Sequence, residues 1–451
     1  MKKDRTYLLL EEKNIYNAFI YLALPVMLAN VLKSLHDLVD TYFIGQMHNS
    51  VSAQAGISIS WPLLNIFMAL SIGLAVAGVA VISQYLGAKD EKKAKEYIAL
   101  LLILSIGIGV IFNGILYIIA PNVLKFMGAE GTVYEQALIY MRTRSFEMPF
   151  LFVFTAFQAT RQARGDTTTP VLLSVVAIIL NIILTALFIR VYDMGIFGAG
   201  LSTVIGQMAI VPVALYLMFS KRQELHLSLH DLRIKPKNLS KLVGIAMPSA
   251  GSQAFSSLGF LILQAIILAY GERVAAAFSL GNKISNLLLI PVSALGSVLA
   301  AFVGQNIGAR NKERAKNAYR VSRNVAVAIS CIGGLIIYPC REFLLGLLTN
   351  DSETLQIAME YMFWVLLTQP LMSLFQNYMG VFNGSGNTKY SFYIATARLW
   401  VIRLPLILFM KNLTDLGRSG IWYAMVISNL VIILYAKFLF RKVDFEPKIK
   451  A

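Results

Sequence analysis

From residue 15 to residue 438 the chain passes through one apolar stretch after another. Each is long enough to cross the hydrocarbon core of a bilayer, which takes about 20 residues of helix. The stretches lie at 15–44, 53–84, 96–120, 133–160, 168–189, 196–220, 242–270, 275–303, 318–340, 353–381, 390–410 and 419–438. Charged residues make up 14% of the chain, against about 25% in soluble domains, so little water-facing surface can be built from it. The expected fold class is an all-α polytopic membrane protein with twelve transmembrane helices. The polar start, MKKDRTYLLLEEKN, does not read as a cleavable signal peptide.

A net charge of +16 raises the question of nucleic acid, and the distribution of charge answers it. The N-terminal tail and alternate connections, together with the C-terminal end, hold 28 of the 40 Lys and Arg residues, and the opposite connections hold six. This is the positive-inside pattern. It places both termini and the 221–241 loop in the cytoplasm of a multi-pass plasma-membrane protein, and leaves no reason to invoke a nucleic-acid partner. No phosphate-binding glycine loop is present, so no ATP hydrolysis is expected, and no cofactor. Cys331 and Cys340 stand about two and a half helical turns apart, too far for a disulfide.

The chain also repeats itself. SQYLGAKDEKKAKE at 83–96 returns as GQNIGARNKERAKN at 304–317, an offset of 221. Tyr140, Met141 and Pro149 return as Tyr361, Met362 and Pro370, and Gly165, Asp166 and Thr167 as Gly386, Asn387 and Thr388, at the same offset. Pro25 and Pro248 are offset by 223. Ordered anchors at a nearly constant offset indicate two six-span repeats: an N-terminal lobe at 1–220, an inter-lobe loop at 221–241 and a C-terminal lobe at 242–451. Each repeat has an even number of spans, so the halves are parallel in topology. Paired bundles of this kind suit a transporter whose site lies between them and whose access alternates.

Ionisable groups within a span are functional candidates, because each costs several kcal/mol in hydrocarbon. The first span places Lys33, His36, Asp37 and Asp40 along one helical face. Lys33 and Asp37 could satisfy each other; Asp40 lies a turn further on, with no basic residue after it in the span. A buried carboxyl there could take up a proton, or bind sodium, and release it when the cavity turns inward. Asn181, Gln207, Gln253, Gln264, Asn282 and Asn286 are polar groups that commonly join helices. Arg398 and Arg403 in span eleven need carboxylate or carbonyl partners, or an anionic ligand. Lys33, His36, Gln207, Gln253, Asn282, Arg398 and Arg403 are taken as candidates for the substrate cavity.

VDTYFIG at 39–45, the paired QYLGAKD and GQNIGAR loops, GDTTTP at 165–170 and LNII at 180–183 resemble the multidrug and toxic compound extrusion (MATE) family, over the whole chain. The resemblance implies two six-helix lobes in a V and export of organic cationic or amphipathic drugs against inward H+ or Na+ flow, by a protein taken here to act as a monomer. It matches Asp40 to the family's acidic residue of the first helix and Asn181 to the asparagine of the fifth. Many members carry an acid four residues after that asparagine, where this chain has Thr185; a branch of them carries a Glu in helix seven, where this chain reads FSSLG at 255–259. Asp40, Asn181 and Thr185 could supply part of a sodium site, and no other metal is expected.

Other readings have less to stand on. Lys33, Arg398 and Arg403 would suit a flippase or exporter of a lipid-linked or anionic precursor. GAKDEKKAKE is a poor match to the loop signature of major facilitators. An intramembrane enzyme would need more than the His36, Asp37, Asp40 stripe.

Overall fold

The computed structural model describes residues 5–47, 50–221, 225–349 and 351–448; for Arg5, Asp37, Leu38, Val51 and Leu229 it describes the backbone alone. In the first half a short α1 (Arg5–Leu10) leads into α2 (Ile15–Gly45), α3 (Ser50–Gly87) and α4 (Glu91–Phe126). Then come α5 (Gly131–Ser145), α6 (Met148–Ala163), α7 (Thr168–Arg190) and α8 (Gly195–Phe219). The second half has α9 (Pro236–Leu268), α10 (Glu272–Gly308), α11 (Lys312–Gly346), α12 (Ser352–Gly384), α13 (Thr388–Thr396), α14 (Leu404–Leu413) and α15 (Ser419–Arg441). Eleven helical segments among the described residues are each long and apolar enough to span a membrane. Among those residues no strand occurs. Exposed side chains such as Phe126 (92%), Leu335 (75%) and Ile118 (73%) would each be unfavourable in water and suit a surface that faces lipid.

Two expected spans depart from a plain helix. The stretch at 133–160 is broken into α5 and α6. Glu147 sits in the break, paired with Arg144 at 2.8 Å, and Pro149 lacks the N–H that would continue the ladder. The stretch at 390–410 carries a π-helical segment, Ala397–Arg403, between α13 and α14.

The repeat is written in the backbone as well as in the sequence. Lys89 (φ 58°) and Arg310 (φ 60°) both turn left-handed just after α3 and α10 end. The next residues, Asp90 and Asn311, cap α4 and α11 by accepting from the backbone N–H of Lys93 (3.1 Å) and Arg314 (3.0 Å). Thr167 Oγ1 donates to the Leu22 carbonyl, and its counterpart Thr388 Oγ1 to that of Ile245, both at 2.8 Å.

Packing does not follow the sequence halves strictly. Ala18, Phe19, Leu22 and Ala23 of α2 are buried in a core otherwise built from α1 and the second half, and Phe19 stacks on Phe302. Reciprocally, Leu242 and Ala246 of α9 belong to the first half's core. Each half therefore lends the start of its first long helix to the other. Hydrogen bonds between the halves gather at the end where the Lys- and Arg-rich connections lie, called here the basic end. Gln84 Nε2 donates to the Gly384 carbonyl there, and Gln305 Nε2 to that of Ala163. Gly87 and Gly308 lie so close to the opposite strand of helix that a Cβ on either would collide with the carbonyl oxygen of Gln305 or Gln84. At the far end, Arg190 reaches Gln46 within the first half, and Arg418 reaches Glu360 within the second.

Candidate functional site

The first half holds a buried polar network built on α2, α7 and α8. Asn181 and Thr185, one turn apart on α7, are 3% and 0% exposed. The Asn181 amide donates through Nδ2 to Thr203 Oγ1 at 3.1 Å. Its oxygen therefore turns toward α2, where His36 Nε2 lies 2.7 Å away and donates to it. The same nitrogen lies 3.5 Å from Asp40 Oδ2. Thr185 Oγ1 is 3.3 Å from Asn181 Oδ1 and 2.7 Å from Ser202 Oγ. His36 thus stands between the half-buried carboxyl of Asp40 and the α7–α8 amide and hydroxyls. The sequence puts His36 and Asp40 on one helical face and Asn181 in a different span; the fold brings the three into one chain of contacts.

Glu147 was not singled out as a site residue. It is 3% exposed at the α5–α6 break, where it pairs with Arg144, so the break buries a carboxylate inside the first half. A helix period cannot reveal this, because the burial comes from the interruption. Gln207 stands one turn beyond Thr203 on α8, with a buried Oε1 that has no hydrogen-bond partner. Lys33 is exposed, and the Asp37 side chain lies outside the described residues.

Between the halves, above the basic-end closure, lies a chamber of about 370 Å³. Its polar lining is neutral: Thr155, Gln158 and Gln162 from α6, Gln253 from α9, and Gln376 and Asn383 from α12. Thr155 and Gln376 are repeat partners, as are Gln162 and Asn383, so the chamber follows the internal symmetry. Of the seven residues taken as cavity candidates, only Gln253 lines it. Lys33 is exposed, and His36, Gln207, Asn282, Arg398 and Arg403 lie within one half or the other. Asn282 accepts from the Tyr361 hydroxyl at 2.9 Å.

The second half's interior has a different polarity. Arg403, 3% exposed, donates through Nε to Ser428 Oγ (2.9 Å) and through a terminal nitrogen to Asn429 Oδ1 (2.7 Å), both on α15. The guanidinium of Arg398 lies 4.6 Å from the Phe375 ring centroid and 3.1 Å from the Met372 sulfur. Neither arginine has a carboxylate partner among the described residues.

The family model described as MatE matches residues 25–187 and 248–409, one match in each half. The chain is 25% identical to the probable multidrug resistance protein YoeA of Bacillus subtilis, covering 95% of both chains. It is also 25% identical to the probable multidrug resistance protein NorM of Thermotoga maritima, covering 94% of this chain and 91% of that one. A solved structure described as the outward-facing conformation of a multidrug resistance MATE family transporter of the MOP superfamily superposes with a TM-score of 0.91. It is 22% identical over 98% of this chain and 99% of its own.

Proposed function

The chain belongs to the MatE family, and from that premise we propose that it is a secondary active multidrug exporter. In this reading it moves amphipathic organic compounds out of the cell against inward flow of a coupling cation. The observation that carries the reading is the polar chamber between two repeats that are closed at one end by symmetric contacts. Two bundles sharing such a seam can rock about it and expose the chamber to each side in turn. The positive-inside pattern orients the closed, basic end toward the cytoplasm, so the conformation described is open outward. The two lobes, 1–220 and 242–451, are the moving bodies, linked through 221–241.

We assign cation coupling to Asp40. His36 supports the proton over sodium. Sodium would need several oxygens around it, and the space between Asp40 Oδ2 and Asn181 Oδ1 is taken by the His36 Nε2–H. A proton on Asp40 requires no displacement of the ring. One charge crossing 100 mV supplies about 2.3 kcal/mol, a useful bias on the rocking equilibrium. The test is accumulation of a fluorescent amphipathic dye in everted vesicles, where export runs into the lumen, with the proton and sodium gradients collapsed separately. Loss on collapsing the proton gradient alone supports the reading; accumulation that needs sodium alone, or neither gradient, contradicts it.

The second reading, export of an anionic compound, is favoured by one observation: the unneutralised arginines of the second half.

A further inference from the structure

Counting the charges inside the spans separates the two halves. Leaving aside Glu96, Glu135, Arg320, Arg323 and Lys437, which lie near span ends, the first has three bases, Lys33, Arg142 and Arg144, and three acids, Asp37, Asp40 and Glu147. The second has three bases, Lys283, Arg398 and Arg403, and its acids, among them Glu272, Glu313, Glu342, Glu353 and Glu360, all lie toward helix ends or in loops. Among the described residues none of these three bases forms an ion pair. A guanidinium in a poorly hydrated interior costs several kcal/mol unless an anion meets it.

The π segment makes the arrangement specific. Arg398 and Arg403 are five residues apart. On an α-helix that spacing would turn them about 140° away from each other. In a π turn residue i bonds to i+5, so both guanidiniums are brought toward one side, and π turns recur at functional sites. Arg403 is fixed by Ser428 and Asn429. Arg398 is not fixed in that way: its neighbours are a thioether, which is a weak acceptor, and a ring face, and its buried Nε has no hydrogen-bond partner. Met372 and Phe375 stand within about a turn of Gln376 on α12, and Gln376 lines the central chamber. Arg398 therefore lies behind the chamber wall, next to a flexible Met side chain that can yield.

We propose that Arg398, with Arg403 positioned behind it, binds the anionic group, a carboxylate or a phosphate, of an amphipathic transported compound. The planar guanidinium offers paired donors to either group, and the apolar remainder would lie against Met372 and Phe375. The inference rests on reading the chain as a transporter, and it narrows the substrates to those that carry such a group.

The test is thermal unfolding of the purified full-length protein in detergent with octanoate, octyl phosphate, octyltrimethylammonium or inorganic phosphate. Octanoate and octyl phosphate should raise the midpoint by several degrees, and the cation and inorganic phosphate should not. Arg398→Gln should weaken binding of both alkyl anions by about tenfold or more. Arg398→Lys, which keeps the charge and the fold, should retain octanoate better than octyl phosphate. Three results would overturn the proposal: no anion-selective shift, an equal shift in Arg398→Gln, or an equal shift from inorganic phosphate. An Arg398-dependent shift from phosphatidylglycerol but not from octanoate would also overturn it, by making the occupant a lipid. No ion gradient enters this measurement, so loss of gradient-driven efflux would strike the coupling scheme and leave the anion site standing.

Discussion

Gln84 and Gln305, 221 residues apart, make the same bond from opposite sides of the molecule. Each side-chain amide crosses to a backbone carbonyl of the other half, Gly384 at 3.3 Å and Ala163 at 2.6 Å, and those two acceptors are themselves 221 residues apart. Both glutamines are buried, 2% and 0% exposed. The closure at the basic end is thus built twice from one sequence repeat.

Removing either glutamine should weaken the closure. Gln305→Ala deletes one buried cross-half bond, about 0.5–1.5 kcal/mol, and Gln84→Ala deletes its bond to Gly384 and a second that it accepts from the Lys448 backbone N–H. The population open at the basic end should rise several-fold in each. Spin labels at Lys89 and Arg310 would show a new longer distance; an unchanged distribution would mean the bonds do not hold the halves together.

The glycines should act more strongly. A methyl on Gly87 or Gly308 meets a backbone carbonyl, which cannot rotate away as a side chain can. Overpacking of this kind costs about 1–3 kcal/mol. Gly87→Ala and Gly308→Ala should each push the same label pair further toward the open distance than the glutamine variants do, and both should slow transport.

Thr185 supplies a hydroxyl at a fully buried position, bonded to Ser202. Thr185→Val keeps the shape and deletes the hydroxyl's bonds to Ser202 and Asn181, while Ser202 keeps its bond to the Ala199 carbonyl, a loss of about 0.5–1.5 kcal/mol. Thr185→Ser keeps the hydroxyl. The unfolding midpoint should fall in the first variant and stay near wild type in the second.

The sequence made the spans and the duplication readable because both depend on local features: apolar length, and anchors at a fixed offset. It also singled out Asp40 and Asn181 as candidates, because intramembrane polar residues stand out from an apolar background. The contact of His36 with Asn181 was not readable, since it depends on how α2 leans on α7, 145 positions away. Nor was the exchange of helix starts between halves, in which Phe19 stacks on Phe302. The α5–α6 break had a signal in Pro149, yet Pro370, its repeat partner, lies inside an unbroken α12. What differs is Glu147 and its bond to Arg144, in place of Thr368, whose hydroxyl bonds back to its own helix. The π turn at Ala397–Arg403 has no local sequence mark.

Arg403 tests whether the second half keeps a charge at the expense of stability. Replacing a buried charged group and its partner by apolar residues of similar size is often neutral or stabilising, by about 1–4 kcal/mol. The double variant Arg403→Leu, Asn429→Leu should unfold at or above the wild-type temperature while losing the response to octanoate. A lower midpoint would assign Arg403 a structural role.

Asp40 carries the central claim, and its conservative replacement tests it most directly. In everted vesicles energised by a proton gradient, Asp40→Asn should insert and fold like wild type but show no gradient-driven dye accumulation. Accumulation by Asp40→Asn at the wild-type rate would contradict the account.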